Sequence, residues 1–323
     1  MPLSHKRKAL LAAFAMATSL AHGQAADFPT KPLKIVVPTS PGSGSDTTAR
    51  FFAEALAASL GQPVVIDNKP GANGVIAAMA VKQAPADGYT IFLGTNTHMA
   101  VNPSVVKDLP YDAVKDFKPL TGLARGMMLF VAPVNSKIVT ISDLVTAAKT
   151  SKQQLNVGTY TAGFHLSAEW FSSTSGTKSV NVPYKGAPEV FTALMGDQLD
   201  WAVSDLIAAM PQVKAGKLRA LAVSGEKRHP DYPEIPTIRE SGFPDYVNYT
   251  WTSMYIRADT PAGVTTKLVD AMQKILATTN AREFIARIGS EPMLPGPTEM
   301  RKFQLSETER FRQVANSAGI KPQ

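Results

Sequence analysis

The stretch VPTSPGSGSDTTAR, Val37 to Arg50, joins two kinds of pattern. Before it, Leu33 to Val37 is a short apolar run bounded by Pro32 and Pro38, which reads as a buried strand. After it, Ala49, Phe52, Ala53, Leu56 and Leu60 fall on one face of a helix running from Asp46 to Leu60. Gly61 stands where a left-handed cap would end that helix. A loop at the carboxyl end of a parallel strand is where open α/β sheets place their ligands. Its glycines let backbone approach closely, its serines carry hydroxyls, and a helix starting near Ser45 or Asp46 has free N–H groups that attract anions. Two readings stay open from this segment: an anion-binding loop, or a tight turn with Ser45 as N-cap. No Gly-Lys-Ser/Thr ends the loop and no GxGxxG is present, so nucleotide-phosphate motifs are excluded.

Outward from the loop, the alternation continues. Val64 to Ile66 reads as a strand, Val75 to Gln83 as a helix and Tyr89 to Leu93 as a strand, with Asn68 to Gly71 and Ala86 to Gly88 as turns. The pattern resumes after Met128. There, LFVAPV is strand-like, and Ser142 to Lys149 is a helix with Ser142 and Asp143 at its start. Leu155 to Gly158, Val180 to Tyr184, Leu199 to Val203 and Leu218 to Val223 read as strands; stretches near His165 to Ser173 and Ala187 to Met195 read as helices. Proline density from Pro230 to Pro244 marks a long connection. Three helices close the chain, over Val264 to Ile275, Ala281 to Ile288 and Thr298 to Ala318. Strands separated by helices imply parallel pairing and an α/β fold. The length predicts two domains.

The first 25 residues carry a basic cluster (Lys6, Arg7, Lys8), an uncharged run from Ala9 to Leu20 and small residues up to Ala25. This is the three-part pattern of a secretory signal peptide, too short in its apolar part to span a bilayer. Removing residues 1–25 takes the formal net charge from +7 to +4, since three cations and no carboxylates leave. The remaining charges are mixed, which argues against nucleic-acid binding. The chain has no cysteine, so neither disulfides nor a lipid anchor on cysteine can form, and a periplasmic location is expected.

Seven blocks, in chain order, resemble a known family: KPLKIVVPTSPGSGSDTTAR, LGQPVVIDNKPGANG, PADGYTIFLG, NPSV…LPYD…DFKPL, VPYKGAPEV, AGKLRALAVS and IPTIRESGFPDY. Together they resemble the Bug-type extracytoplasmic solute receptors of tripartite tricarboxylate transporters, over nearly the whole chain beyond the leader. The resemblance implies a type II periplasmic binding-protein fold, with two α/β domains closing on a carboxylate between two strand-to-helix loops. In this sequence those loops are Pro38 to Thr47 and Gly158 to His165. It implies a membrane transporter as partner; no cofactor is expected, and scattered histidines without HxH or HExxH spacing argue against a metal. A monomer is expected, with one domain formed by residues 26–127 and 250–323 and the other by 128–249.

The departures from the family bear on the ligand. Thr39, Ser40 and Ser43 stand where the first loop usually reads Phe-Pro-Pro-Gly-Gly. Thr159, Thr161 and Ala162 replace two glycines and a serine of the second. Expected ligand contacts on the first loop are Thr39, Ser40, Gly42, Ser43, Ser45, Asp46 and Thr47. Those on the second are Thr159, Tyr160, Thr161, Ala162 and Phe164. His98 follows a strand in GTNTHM and is a further candidate. Asp205 either caps a helix or faces the cleft, Asp46 and Arg50 are spaced to pair within one helix, and Trp251 and Tyr255 line either the core or the pocket. Neither loop holds an arginine, so no guanidinium clamp is expected. No GxSxG elbow or HExxH spacing supports a secreted hydrolase, the rival class. Flat side chains at Tyr160, Phe164 and His98, with Met127 and Met128 nearby, suggest an aromatic dicarboxylate of the phthalate or terephthalate type. The alternative is an aliphatic di- or tricarboxylate.

Overall fold

A computed structural model describes residues 28–293 and 296–322. The expected leader and its cleavage site lie outside the described residues. Two lobes share one long strand. In the first lobe, β1 (Leu33–Val37) leads through the glycine-serine loop into α1 (Gly44–Leu60), followed by β2 (Val64–Asn68), α2 (Val75–Lys82) and β3 (Thr90–Thr95). A π-helical turn at Thr97–Val101 and a single turn, α3 (Asn102–Val105), come next. Then β4 (Phe117–Pro133) runs 17 residues, out of the first lobe and into the second.

The second lobe continues with α4 (Ile141–Thr150), β5 (Leu155–Thr159), α5 (Ala162–Ser175), β6 (Ser179–Pro183), α6 (Ala187–Met195), β7 (Trp201–Asp205), α7 (Leu206–Lys214) and β8 (Leu218–Val223). The chain returns along β9 (Tyr249–Arg257) and finishes the first lobe with α8 (Ala262–Leu276), α9 (Thr279–Arg287), β10 (Ser290–Pro292) and α10 (Pro297–Ser317).

The first sheet runs β2-β1-β3-β9-β4, with β10 on the other side of β4; the second is built from β4, β7, β5 and β6, with β8 also paired to β4. β1 pairs in parallel with β2 and β3, and β5 with β6 and β7, as the alternating pattern predicted. The purely parallel expectation does not hold throughout. β9 lies antiparallel between β3 and β4, and β4 is antiparallel to β7 and β8. β4 changes sheets within one residue step: Met127 pairs with Tyr249 in the first sheet, and Met128 with Asp205 in the second. β4 therefore spans both lobes, and the chain crosses back at the start of β9.

Each lobe has its own core. Phe130, Phe171, Trp201 and Tyr246 fill the second, with Phe130 stacked on Trp201 at 5.4 Å between ring centroids. Ile35, Phe52, Leu93 and Leu268 fill one side of the first sheet; Phe92, Phe117, Trp251 and Tyr255 fill the other. Trp251 and Tyr255 are thus core residues on β9.

Local signals explain most helix ends. Thr140, rather than Ser142, caps α4, because its hydroxyl accepts from the Asp143 amide while the Asp143 carboxylate accepts from the Thr140 amide, a capping box. α1 begins at Gly44 with Ser43, rather than Ser45, in the N-cap position, two residues earlier than the expected start at Asp46. Ser43 has extended backbone but makes no capping bond within its own helix, because its hydroxyl is engaged elsewhere.

Candidate functional site

The carboxyl ends of β1, β3, β5 and β7 meet where the lobes face each other. The first loop is held open in shape by Asp46. Its carboxylate accepts from the Gly42 amide at 2.9 Å, from Arg50 through two nitrogens at 2.9 and 3.0 Å, and from the Asn68 amide at 2.9 Å. Gly42 sits at φ +85°, where a side chain would be strained, so the turn needs glycine there. Burial pushes the Asp46 carboxyl up, but the donors from Arg50, Gly42 and Asn68 outweigh it and leave the group below its ordinary range. Asp46 therefore frames the loop from within and is absent from the wall of the cavity described below.

Side chains from one lobe satisfy helix N-termini of the other. The Ser43 hydroxyl accepts from the Ala187 amide of α6 at 3.1 Å. The Thr97 hydroxyl accepts from the Gly163 amide of α5 at 3.2 Å and donates to the Thr161 hydroxyl at 3.1 Å. In return, Asp205 packs closely against Gly44, the first residue of α1. Two helix starts, each with unpaired N–H groups by construction, are stitched across the interface by the Ser43 and Thr97 bonds, and a third packs against Asp205. The Ser40 hydroxyl adds a 2.7 Å bond to Glu189 Oε1, and the Ser40 amide donates to the Lys185 carbonyl at 3.2 Å. The fit is close: a Cβ added to Gly186 would lie 2.7 Å from Ser40 Cβ, and one added to Gly44 would lie 2.3 Å from Asp205 Oδ1.

Between these stitches lies a cavity of about 50 Å³, room for a few water-sized groups. Of the residues singled out from the sequence, Thr39, Ser45, Tyr160, Thr161, Phe164 and Asp205 line it. Met127 and Met128 line it too, as does Trp251. Ser40 and Ser43 stand at the seam between the lobes. Gly42 lies in the first loop and Asp46 and Thr47 in the first turn of α1, where the Thr47 hydroxyl turns back to the Ser43 carbonyl at 3.3 Å. The Thr159 hydroxyl donates to Asn181 Oδ1 at 2.6 Å, behind the wall, while Ala162 opens α5 and packs into the first lobe's core. His98 is fully buried in the π-helical turn. Its Nδ1 accepts from the Thr95 amide at 3.2 Å, and burial pushes it down to about 3, so the ring is neutral. A Cβ on Gly74 would lie 2.1 Å from its Nε2, which places the ring beneath Gly74 rather than on the cavity wall.

Asp205 fulfils both roles left open for it. It caps α7 by accepting from the Ala208 amide at 3.0 Å, and its other oxygen accepts from the Tyr160 hydroxyl. Burial pushes its carboxyl up, against the opposing pull of Tyr160, Ala208 and Gly44. Burial and the Asp205 charge push the Tyr160 phenol far up, so it stays a neutral donor. The sequence reading missed Thr95, Asn96, Thr97 and Thr250, all on the cavity wall. The signal was available: TNT directly follows a parallel strand, the same position that drew attention to the first loop.

The wall contains no Lys, Arg or His among the described residues, and no three His, Cys, Asp or Glu side chains among them are grouped to hold a metal. The cavity combines hydroxyls, amides, helix N-termini and the Asp205 carboxylate with apolar surface from Met127, Met128, Phe164 and Ile207, suited to hold a small molecule rather than to transform one. Across residues 48–320 the chain matches the model of the tripartite tricarboxylate transporter family receptor. The protein BugT of Bordetella pertussis is 28% identical, with 97% of each chain covered. R. palustris Rpa4515, solved with adipate, is 33% identical with a TM-score of 0.88, covering 92% of this chain and all of that one. MatC from Rhodopseudomonas palustris, solved with malate, is 27% identical with a TM-score of 0.84, covering 89% of this chain and 99% of that one. The chain belongs to the Bug-type receptors of the tripartite tricarboxylate transporter family, two-domain α/β binding proteins and not enzymes.

Proposed function

We propose that this chain captures one small carboxylate in the periplasm and presents it, lobes closed, to the membrane subunits of a tripartite transporter. The observation that carries this is the cavity wall: hydroxyl and amide donors from both lobes at the amino ends of α1 and α5, with no cationic side chain. Hydrogen bonds to a charged group contribute about 1.5–3 kcal/mol each, so several together suffice for an anion without a guanidinium. Residues 26–127 with 250–323, and residues 128–249, would move as two bodies about β4 and β9, in a monomer. The basic-apolar-small pattern of residues 1–25 supports export, and no described helix is long and apolar enough to cross a membrane.

Two carbon frames have separate support. Tyr160, Phe164 and Trp251 on the wall favour an aromatic dicarboxylate. However, Tyr160 and Phe164 pack on each other at 4.6 Å within the second lobe's core, and the Tyr160 hydroxyl is committed to Asp205. The two similar receptors were solved with adipate and malate. We therefore favour a short aliphatic dicarboxylate. Calorimetry with adipate, malate, citrate, phthalate and terephthalate tests both levels. Binding of an aromatic acid alone overturns the aliphatic choice, and no response to any of the five overturns the receptor reading.

A further inference from the structure

Most fully buried polar side chains around the cavity have a partner, and the exceptions are informative. Asn96 stands just past the end of β3, 2% exposed, with its side chain on the cavity wall. Its Oδ1 accepts from the Thr250 hydroxyl on β9 at 3.1 Å. Its Nδ2 has no partner among the described residues. A Cβ added to Gly163 would lie 3.3 Å from that nitrogen, so the free amide faces the first turn of α5 in the opposite lobe. Thr39, at the end of β1 on the same wall and 1% exposed, has a hydroxyl that is likewise unpartnered.

A buried donor left unpaired costs about 1–3 kcal/mol, and most native donors therefore have partners. Here two such groups share one wall, beyond the carboxyl ends of β1 and β3, two neighbouring parallel strands, where α/β sheets receive ligands. The hydroxyl of Thr39 can donate or accept, but an amide nitrogen only donates. The bound molecule must therefore bring an acceptor oxygen to this place.

We propose that Asn96 is a ligand-reading residue of this receptor: its amide, together with the Thr39 hydroxyl, donates to a carboxylate oxygen of the solute. Thr250 is a positioning residue that holds the Asn96 carbonyl and so turns the amide toward the cavity. This rests on the carboxylate-receptor reading and deepens it by naming the lobe-one donors that set specificity.

The test pairs affinity with stability for the full mature chain, using whichever of adipate, malate, citrate, phthalate and terephthalate binds the parent most tightly. Asn96→Ala should weaken binding by about 10- to 100-fold, the loss of one hydrogen bond to a charged acceptor. Asn96→Asp, which puts an acceptor where the donor was, should weaken it further. Thr250→Val should have a smaller effect, in the same direction. The ligand-free melting temperature of Asn96→Ala should move by no more than about 3 °C, because the amide nitrogen has no partner in the protein and only the single bond from Thr250 is lost. Asn96→Asp binding as tightly as the parent would overturn the proposal. So would Asn96→Ala melting far lower with its affinity unchanged, since that is the signature of a structural residue. A parent chain that binds none of the five acids would overturn the receptor reading, and this assignment with it.

Discussion

The two strand-to-helix loops occupy equivalent places in the two lobes, yet their polar side chains do different work. The loop of the first lobe turns its serines outward to the other lobe: Ser40 to Glu189 and Lys185, Ser43 to Ala187. The loop of the second lobe bonds mostly within its own lobe, apart from the Thr161 hydroxyl, which accepts from Thr97 across the seam. Thr161 caps its own helix by accepting from the Phe164 amide at 3.4 Å, and Thr159 bonds Asn181 on the neighbouring strand. One loop mainly closes the receptor; the other mainly shapes the wall of the cavity. Two loops at equivalent strand ends can thus divide closing and holding between them, and the division depends on which lobe each hydroxyl faces.

The strongest way to break this comparison is steric. Gly44→Ala and Gly186→Ala place a methyl group against Asp205 and against Ser40 and Ser43 respectively, contacts that exist only between lobes. Neither glycine has a positive φ, so neither lobe should be strained by the change. We expect carboxylate affinity to fall by about 100-fold or more, a loss of roughly 3 kcal/mol of closing energy, and small-angle scattering to report a more open particle. Unchanged affinity in both variants would separate closure from binding.

The next effect is on stability. Asp46→Ala removes the acceptor for Gly42, Arg50 and Asn68 at once, and should destabilise the chain by about 2–3 kcal/mol in urea titration. Asn68 keeps its second bond, to the Thr39 carbonyl at 3.0 Å, so the loop should loosen rather than unfold.

Hydroxyl deletions sharpen the division between the loops. Ser43→Ala should weaken ligand binding by about 2- to 10-fold through poorer closure, with little change in ligand-free stability. Thr161→Ala should lower ligand-free stability by about 1 kcal/mol through loss of the α5 cap. If both variants behave alike in both measurements, the division fails.

The smallest expected effect is the response to acid, where two carboxylates have opposite signs. Asp205 is held above its ordinary range by burial. Its folded form takes up a proton before the unfolded chain does, so its contribution to stability grows as pH falls from the folded toward the unfolded value. Asp46 is held below its range, so its contribution is present above the unfolded value and is lost as pH falls through the folded one. Urea midpoints between about pH 3 and pH 7 should therefore fall more steeply on acidification in Asp205→Asn, and less steeply in Asp46→Asn, than in the parent.

Much of the fold was legible because it is local. The run Leu33 to Val37, the apolar face from Ala49 to Leu60 and the glycine at position 61 together define β1, the loop and α1, and Gly61 does end α1 with left-handed backbone at φ 69°. α6 and β8 fall on the residues that their patterns indicated. What was not legible is long-range. β4 contains Pro119, Gly122 and Gly126, which read as breaks but sit where the pairing with β9 shifts register or where β10 pairs. The antiparallel return of β9 follows a proline-rich connection that hides its partner. At the site, the loop and its helix were visible, but the roles of the serines were not. Ser43 finds Ala187 across 144 residues and Ser40 finds Glu189 across 149, and no local pattern records either. Asn96 and Thr97 were passed over because a short polar run after a strand resembles any turn.

The most direct measurement is a crystal structure of the mature chain with the tightest-binding of the five acids. The account predicts one carboxylate in the cavity, with oxygens within about 3.2 Å of the Asn96 amide and the Thr39 hydroxyl, no Lys or Arg in contact, and Ser43 still bonded to Ala187. A solute bound outside this cavity, or held there by a cationic side chain, would contradict it.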